Sequence, residues 1–230
     1  MTMDPDLEQA LAARGYRPAR ALKDDFVSEV WRLEGPEGSA LLKRSRGGRL
    51  LLGLPPRLLT ARELAMLRAL EGLPGIPRVY ERLDATTYVR EFVEGRSLRE
   101  CTEVPADFFP RLLELLAAVH ARGVACVDLS KRENILVAAG GGPALMDFQA
   151  GWRLRPGSWA GWLFGPLLRT LQRGDRYHVY KHQRRRFPTA PIPPAPADLR
   201  STPWGVRLHG WLLRKPYLAI KRLFDGKAHA

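Results

Sequence analysis

Two carboxylates and an amide are confined to one short stretch of this chain by alternating apolar and turn residues. Asp128 opens the run Asp128-Leu129-Ser130-Lys131-Arg132-Glu133-Asn134. Ile135, Leu136 and Val137 then read as a strand, Gly140 to Pro143 as a turn, and Ala144, Leu145 and Met146 as a returning strand. Asp147 follows Asn134 by thirteen residues, so the hairpin brings it back beside Asn134. An amide oxygen and a carboxylate converging there form a hard-oxygen site that suits Mg²⁺. Asp128, on the same loop, can orient an attacking hydroxyl. The plain alternative is an ordinary hairpin with surface Asp and Asn.

Residues Val119 to Gln149 resemble the catalytic loop and metal-binding segment of the protein-kinase-like superfamily, whose H-R-D-L-x-x-x-N and D-F-G motifs carry phosphoryl transfer. The resemblance implies that Asp128 is the catalytic Asp, with Lys131 grouped beside it, and that Asn134 and Asp147 hold Mg²⁺ (or Mn²⁺). Cys126 and Val127 stand in place of His and Arg, and Gln149 in place of Gly. Asn134 lies six residues after Asp128, one more than the motif has. The longer spacing and the D-F-Q ending look more like small bacterial lipopolysaccharide (Kdo/heptose) kinases, which phosphorylate sugars of the lipid-linked core.

Upstream segments supply further pieces in the family's order. Ser39 to Lys43 is a short apolar strand ending in Lys, after a turn at Gly35 to Gly38. It resembles the V-A-I-K strand, whose Lys holds the α- and β-phosphates of ATP. A helix from about Thr60 to Leu70 carries Leu64, Leu67 and Leu70, and Glu63 falls about one turn into it. The resemblance pairs Glu63 with Lys43. Read alone, Glu63 is a first-turn acid favoured by the helix dipole. Gly75 to Tyr80 reads as a turn entering a strand, and Thr86 to Phe92 as β-rich. The run Glu91-Phe92-Val93 resembles the hinge, with Glu91 and Val93 at the positions whose backbone pairs with adenine and Arg90 at the gatekeeper position. In the phosphate lid, Leu22 to Leu33, Val30 matches the family's Val, but Lys23, Asp25 and Ser28 replace its glycines. Without glycine the backbone cannot approach phosphate as closely, so three readings stand: a lid that contacts ATP through Ser28, a lid that contacts little, or a pseudokinase.

Residues 1–20 read as a short helix and lead-in. The resemblance implies an α+β, two-lobed fold: a β-rich N-lobe over 1–94 and a reduced, mostly helical C-lobe over 95–230. A long helix from about Pro105 to Arg122 has Phe108, Leu112, Leu115, Leu116 and Val119 on one face, and His120 near its end reads as a packed side chain. Residues 187–197 are Pro-rich and read as an extended wrap or linker. No A-P-E motif follows Asp147, so a long activation loop is not expected.

Charge separates the classes of partner. The 230 residues carry a formal net charge of +13 with pI about 10.4, nearly all of the excess Arg. Anionic lipid, phosphorylated sugar and nucleic acid all suit that sign, but no RNA motif supports the last. Two clusters stand out: Trp152, Trp159, Trp162, Phe164, Leu167 and Leu168 among Arg153, Arg155, Arg169 and Arg173, and the run Lys181 to Arg186. A second Trp and basic stretch lies at 204–222. Trp with Arg suits a membrane interface; alternatively the aromatics pack the core and Arg faces water. The basic run reads equally as a phosphate or lipid grip or as a solvated helix face. Cys101 and Cys126 have no metal-ligand or disulfide spacing, and Cys126 reads as a small buried hydrophobe. The first residues lack a hydrophobic signal core, and no apolar run is long enough to span a membrane. A cytoplasmic monomer, peripheral to the inner face of the membrane, is the expected location. The expected function is an ATP-dependent kinase acting on a lipid-linked sugar; the alternatives are a small atypical serine/threonine kinase acting on protein and a pseudokinase scaffold.

Overall fold

A computed structural model describes residues 2–24, 28–46 and 55–199. The fold is mixed α+β, with a five-stranded antiparallel sheet in the N-terminal region and four α-helices among the described residues. The chain forms two compact units. One takes the chain through Glu71 together with Pro77–Val93; the other takes Gly72–Ile76 and the chain from Glu94.

The first unit contains α1 (Pro5–Ala12), β1 (Arg17–Asp24), β2 (Ser28–Gly35), β3 (Gly38–Ser45), α2 (Pro56–Ala69), β4 (Val79–Arg82) and β5 (Thr87–Glu91). Its strands lie in the order β1-β2-β3-β5-β4. The period-2 alternation of β3 divides the work of the sheet. Ala40 and Leu42 join Trp31, Leu33 and Val89 in a core with Leu7 and Leu11 of α1. Leu41, Lys43 and Ser45 point to the other face. There Ser45 Oγ lies 2.8 Å from Thr60 Oγ1 of α2. The strand edges differ from the sequence reading in small ways. β3 continues two residues past Lys43, and β1 already begins at Arg17, within the stretch read as helix and lead-in.

The second unit contains β6 (Gly95–Ser97), α3 (Phe108–Ala121), β7 (Val124–Ala125), β8 (Ile135–Ala138), β9 (Pro143–Leu145), β10 (Trp152–Arg153) and α4 (Trp159–Arg186). β6, β8 and β9 form one small antiparallel sheet, and β7 and β10 another. α3 buries Phe108, Phe109, Leu112, Leu115, Leu116 and Val119. Gly123 follows it with φ +74°, where a Cβ would sit 2.1 Å from the Leu154 carbonyl oxygen, so only glycine fits.

α4 corrects the reading that packs the tryptophans into the core. It is one helix of 28 residues despite Pro166 inside it. Its first turns expose Trp159, Trp162, Leu163, Phe164 and Leu167, and Trp152 upstream is also exposed; of the named cluster only Leu168 is buried. The helix turns Leu168 inward and the tryptophans outward. The basic run divides in the same way: His182 and Gln183 are buried, while Arg184, Arg185 and Arg186 are exposed in the last turn, where the dipole favours cations. Gln183 Nε2 donates to the carbonyls of Phe187 and Ala190, at 3.2 and 2.8 Å. The Pro-rich stretch thereby turns back, and Leu199 packs on Tyr177 and Tyr180. Among the described residues no helix is long and apolar enough to cross a membrane.

Candidate functional site

Chemistry-bearing residues gather in each unit. In the first, β3 and α2 bring Lys43 and Glu63 together. The Lys43 amine lies 3.0 Å from Glu63 Oε1 and 2.9 Å from Oε2, and both residues are buried. Glu63 lies farther into its helix than the sequence suggests. α2 begins at Pro56, so Glu63 sits two turns in, beyond the reach of a dipole that fades within the first turn. The plain account of Glu63 as a helix-start acid therefore fails. Thr60 and Glu63, one turn apart, meet Ser45 and Lys43, two residues apart on one face of β3. This two-point registration fixes the rotation of α2 against the sheet.

The hinge and lid residues sit less simply. Glu91 N–H donates to the Arg78 carbonyl at 2.8 Å, and the Glu91 carboxylate accepts Arg78 N–H at 3.1 Å. Its carbonyl accepts Arg90 Nη1 at 3.0 Å. The oxygen assigned to adenine is thus already engaged, though a carbonyl keeps a second lone pair. Val93 is the last residue of the first unit. Ser28 is buried at the start of β2 and accepts a 3.2 Å hydrogen bond from Lys23 Nζ. Across the sheet it pairs with Ser45 of β3. Asp25 lies outside the described residues. The base of this hairpin is tied by charge. Glu29, fully buried, accepts Trp31 Nε1–H at 2.7 Å and Arg46 Nη2 at 2.6 Å, and Arg46 also pairs with Asp24.

In the second unit, β7 ends just before Asp128. Asp128 N–H donates to the Cys126 carbonyl at 2.8 Å across Val127, which has φ +67°. That closes a γ-turn of the rare positive-φ kind on a β-branched residue. Among the described residues only Val127 and Asp147 (φ +59°) are non-glycine positions with positive φ. Such strain persists only where surrounding structure holds it. Asp175 of α4 supplies the hold for Val127. It is buried, and its Oδ2 accepts Cys126 N–H at 2.7 Å while Oδ1 accepts Val127 N–H at 2.8 Å. His120 Nε2 lies 3.1 Å from the same carboxylate, which explains the packed histidine at the end of α3. His182, two turns beyond Asp175, donates from Nε2 to the Leu129 carbonyl at 2.8 Å. Gln172, one turn before Asp175, donates to the His120 and Val124 carbonyls, each at 3.1 Å. One face of α4 therefore grips the loop on both sides of Asp128.

The loop's own side chains complete the arrangement. Lys131 Nζ lies 2.5 Å from Asp128 Oδ2. Asn134, in a 3₁₀ turn over Arg132–Asn134, donates from Nδ2 to the Asp128 carbonyl at 3.0 Å. With that nitrogen engaged, its amide oxygen is the group left to act as a ligand. Ile135 pairs with Leu145 across the hairpin, and Met146 N–H donates to the Asn134 carbonyl at 2.9 Å. Asp147 is the next residue. The hairpin expected from sequence is present, and it sets one carboxylate and one amide at its open end. No group of three or more His, Cys, Asp and Glu residues suited to a metal occurs among the described residues. An amide oxygen and a carboxylate are the donor types that a Mg²⁺ carrying phosphates would take from Asn134 and Asp147.

Burial, and then the Asp175 carboxylate, pushes the Cys126 thiol well above its ordinary range. Cys126 is buried, as its position after an apolar strand suggests. Burial lowers the pKa of His182, against the opposing effect of its bond to Leu129. Sequence reasoning did not single out Asp175, His182, Gln172 or Glu29. Asp175 had left one signal: it is the sole Asp or Glu between Asp147 and Asp198. No protein-family model matches the chain, and no curated protein matches its sequence.

Proposed function

We propose that the chain is an ATP-dependent kinase that transfers the γ-phosphate to a hydroxyl, with a sugar of a lipid-linked core as acceptor and the cytoplasm as its site of action. The observation that carries this reading is the strained turn before Asp128. A β-branched residue at positive φ, clamped by a buried carboxylate from a helix 48 residues away, is hard to explain as packing alone. It fixes the backbone that carries Asp128 and, through Asn134 Nδ2, the residue assigned to the metal. In this reading Asp128 accepts or orients the proton of the acceptor hydroxyl. Lys131 neutralises part of the charge there. Asn134 and Asp147 hold Mg²⁺, which neutralises phosphate charge when bound, and Lys43, kept in place by Glu63, takes the α- and β-phosphates. Positioning and electrostatics carry nearly all of such a reaction. A two-lobed kinase-like fold is part of the same proposal.

The Arg90 bond to the Glu91 carbonyl favours a second reading, a pseudokinase that no longer takes adenine there. Labelled ATP separates the readings. Transfer to a lipid-A-core extract, lost in Asp128→Ala with nucleotide binding retained, supports the sugar kinase. Transfer to a peptide library instead makes it a protein kinase. Mg-ATP binding without transfer to either, or undiminished transfer by Asp128→Ala, rejects the assignment.

A further inference from the structure

The first turns of α4 display a pattern that normally faces a core. Trp159, Trp162, Leu163, Pro166 and Leu167 recur at i, i+3, i+4, i+7 and i+8, which lines one side of a helix. Here that side faces out: Trp159 is 77% and Trp162 85% exposed. The opposite side carries Gly165 and Leu168, both buried. The helix start is firmly made. Ser158 Oγ accepts Gly161 N–H at 3.0 Å and donates to the Arg155 carbonyl at 2.7 Å, so the exposed tryptophans stand on a capped helix.

Charge identifies what covers this face. From Phe148 through Gly174 there is no Asp or Glu, while Arg153, Arg155, Arg169 and Arg173 are all exposed, the last in an ion pair with Asp198 at 3.3 Å. A second copy docking face to face would bring these like charges together. Residues 200–230 carry seven Lys and Arg against one Asp, so as a cover they too would set cation against cation. An anionic lipid surface matches both halves of the pattern. Indole rings and leucines enter the boundary between headgroups and acyl chains, and guanidinium groups stay with lipid phosphates. We infer that the Trp159–Leu167 face of α4, with its flanking arginines, is a reversible docking element for an anionic membrane surface.

This surface stands apart from the phosphotransfer reading, and the experiment keeps the two separable. Full-length protein is sedimented with phosphatidylcholine vesicles, with and without phosphatidylglycerol, at low and high salt. Binding only to the anionic vesicles, released by salt, is expected. Trp159→Ser with Trp162→Ser should lower partitioning at least roughly tenfold. Each of Arg153→Gln and Arg155→Gln should lower it about fivefold. Asp128→Ala should bind as the parent does, whatever its activity. The substituted side chains are exposed, and far-UV circular dichroism checks each fold. Brominated lipids, which quench indoles at the acyl boundary, give a second readout that needs no variant. Equal binding to neutral vesicles, unchanged partitioning of the double Trp variant, absence of quenching, or a parent dimer that the Trp changes dissociate would each overturn the proposal.

Discussion

The two halves of α4 invert the usual rule of burial. Its N-terminal half exposes Trp159, Trp162 and Leu163, while its C-terminal half buries Asp175, His178, His182 and Gln183. Hydropathy alone would exchange them. Three of these buried polar groups answer backbone demands: Asp175 satisfies two N–H groups, His182 one carbonyl, and Gln183 the turn after the helix. The exposed apolar groups have no such partner in the described protein. A side chain's place in this helix follows from what its neighbours need.

Several substitutions can break that comparison. The largest effect is expected at Asp175. Asp175→Ala orphans the Cys126 and Val127 N–H groups and releases a strained turn, so stability should fall by about 3–5 kcal/mol in urea titration, and any phosphotransfer should vanish. A loss below about 1 kcal/mol would mean that Asp175 is only a passive neighbour. Buried polarity in the first unit offers a parallel. Lys43→Met strands the Glu63 carboxylate and should cost about 3 kcal/mol, whereas Lys43→Met with Glu63→Leu should recover most of it while remaining inactive. Failure of the double change to recover stability would show that the ion pair holds the sheet rather than the chemistry.

A smaller effect depends on pH. Burial keeps His182 neutral, so its folded pKa lies below the ordinary value of about 6.5. The unfolded chain then binds more protons as pH falls. The contribution is complete above that ordinary value and is lost progressively as pH drops from it towards the lowered folded value. His182→Gln, which keeps an N–H for the Leu129 carbonyl, should flatten that acid-side decline, seen as a smaller drop in melting temperature between neutral and mildly acidic buffer. Identical acid profiles for parent and variant would assign the decline to other groups. The smallest effect belongs to the exposed half: Trp159→Ser and Trp162→Ser should each move stability by no more than about 0.5 kcal/mol. A larger loss in either would place that ring against protein.

Much of this arrangement could be read before the structure. The Asn134-to-Asp147 hairpin announces itself through local alternation and turns encoded by Gly and Pro, whereas Lys43 and Glu63 stand out only through the resemblance of their segments to a family pattern. The single helix α4 does not. Gly161, Gly165, Gly174 and Pro166 all argue against a continuous 28-residue helix, and tertiary contact overrides that propensity. Gly161 is itself accounted for, since a Cβ there would meet the Arg155 carbonyl oxygen at 3.0 Å. Exposure of the tryptophans is equally hidden, because composition does not reveal which side of a helix faces protein. The burial of Ser28 is hidden for another reason: its place in a lid motif says nothing of its accessibility. Asp175 acts through backbone partners far earlier in the chain, and no spacing rule connects them.

The clamp on Asp128 also imposes a schedule on synthesis. Asp175 enters the chain 49 residues after Cys126, and His182 follows 53 after Leu129. At about 5–20 residues per second, a ribosome needs several seconds to cover that distance. Throughout that interval the turn at Val127 lacks the carboxylate that holds it, so the relaxed backbone is favoured. A chain stopped short of Asp175 would carry Asp128, Asn134 and Asp147 and still lack the carboxylate that holds the turn before them. The turn before Asp128 is thus set late in synthesis, and early termination leaves its backbone relaxed.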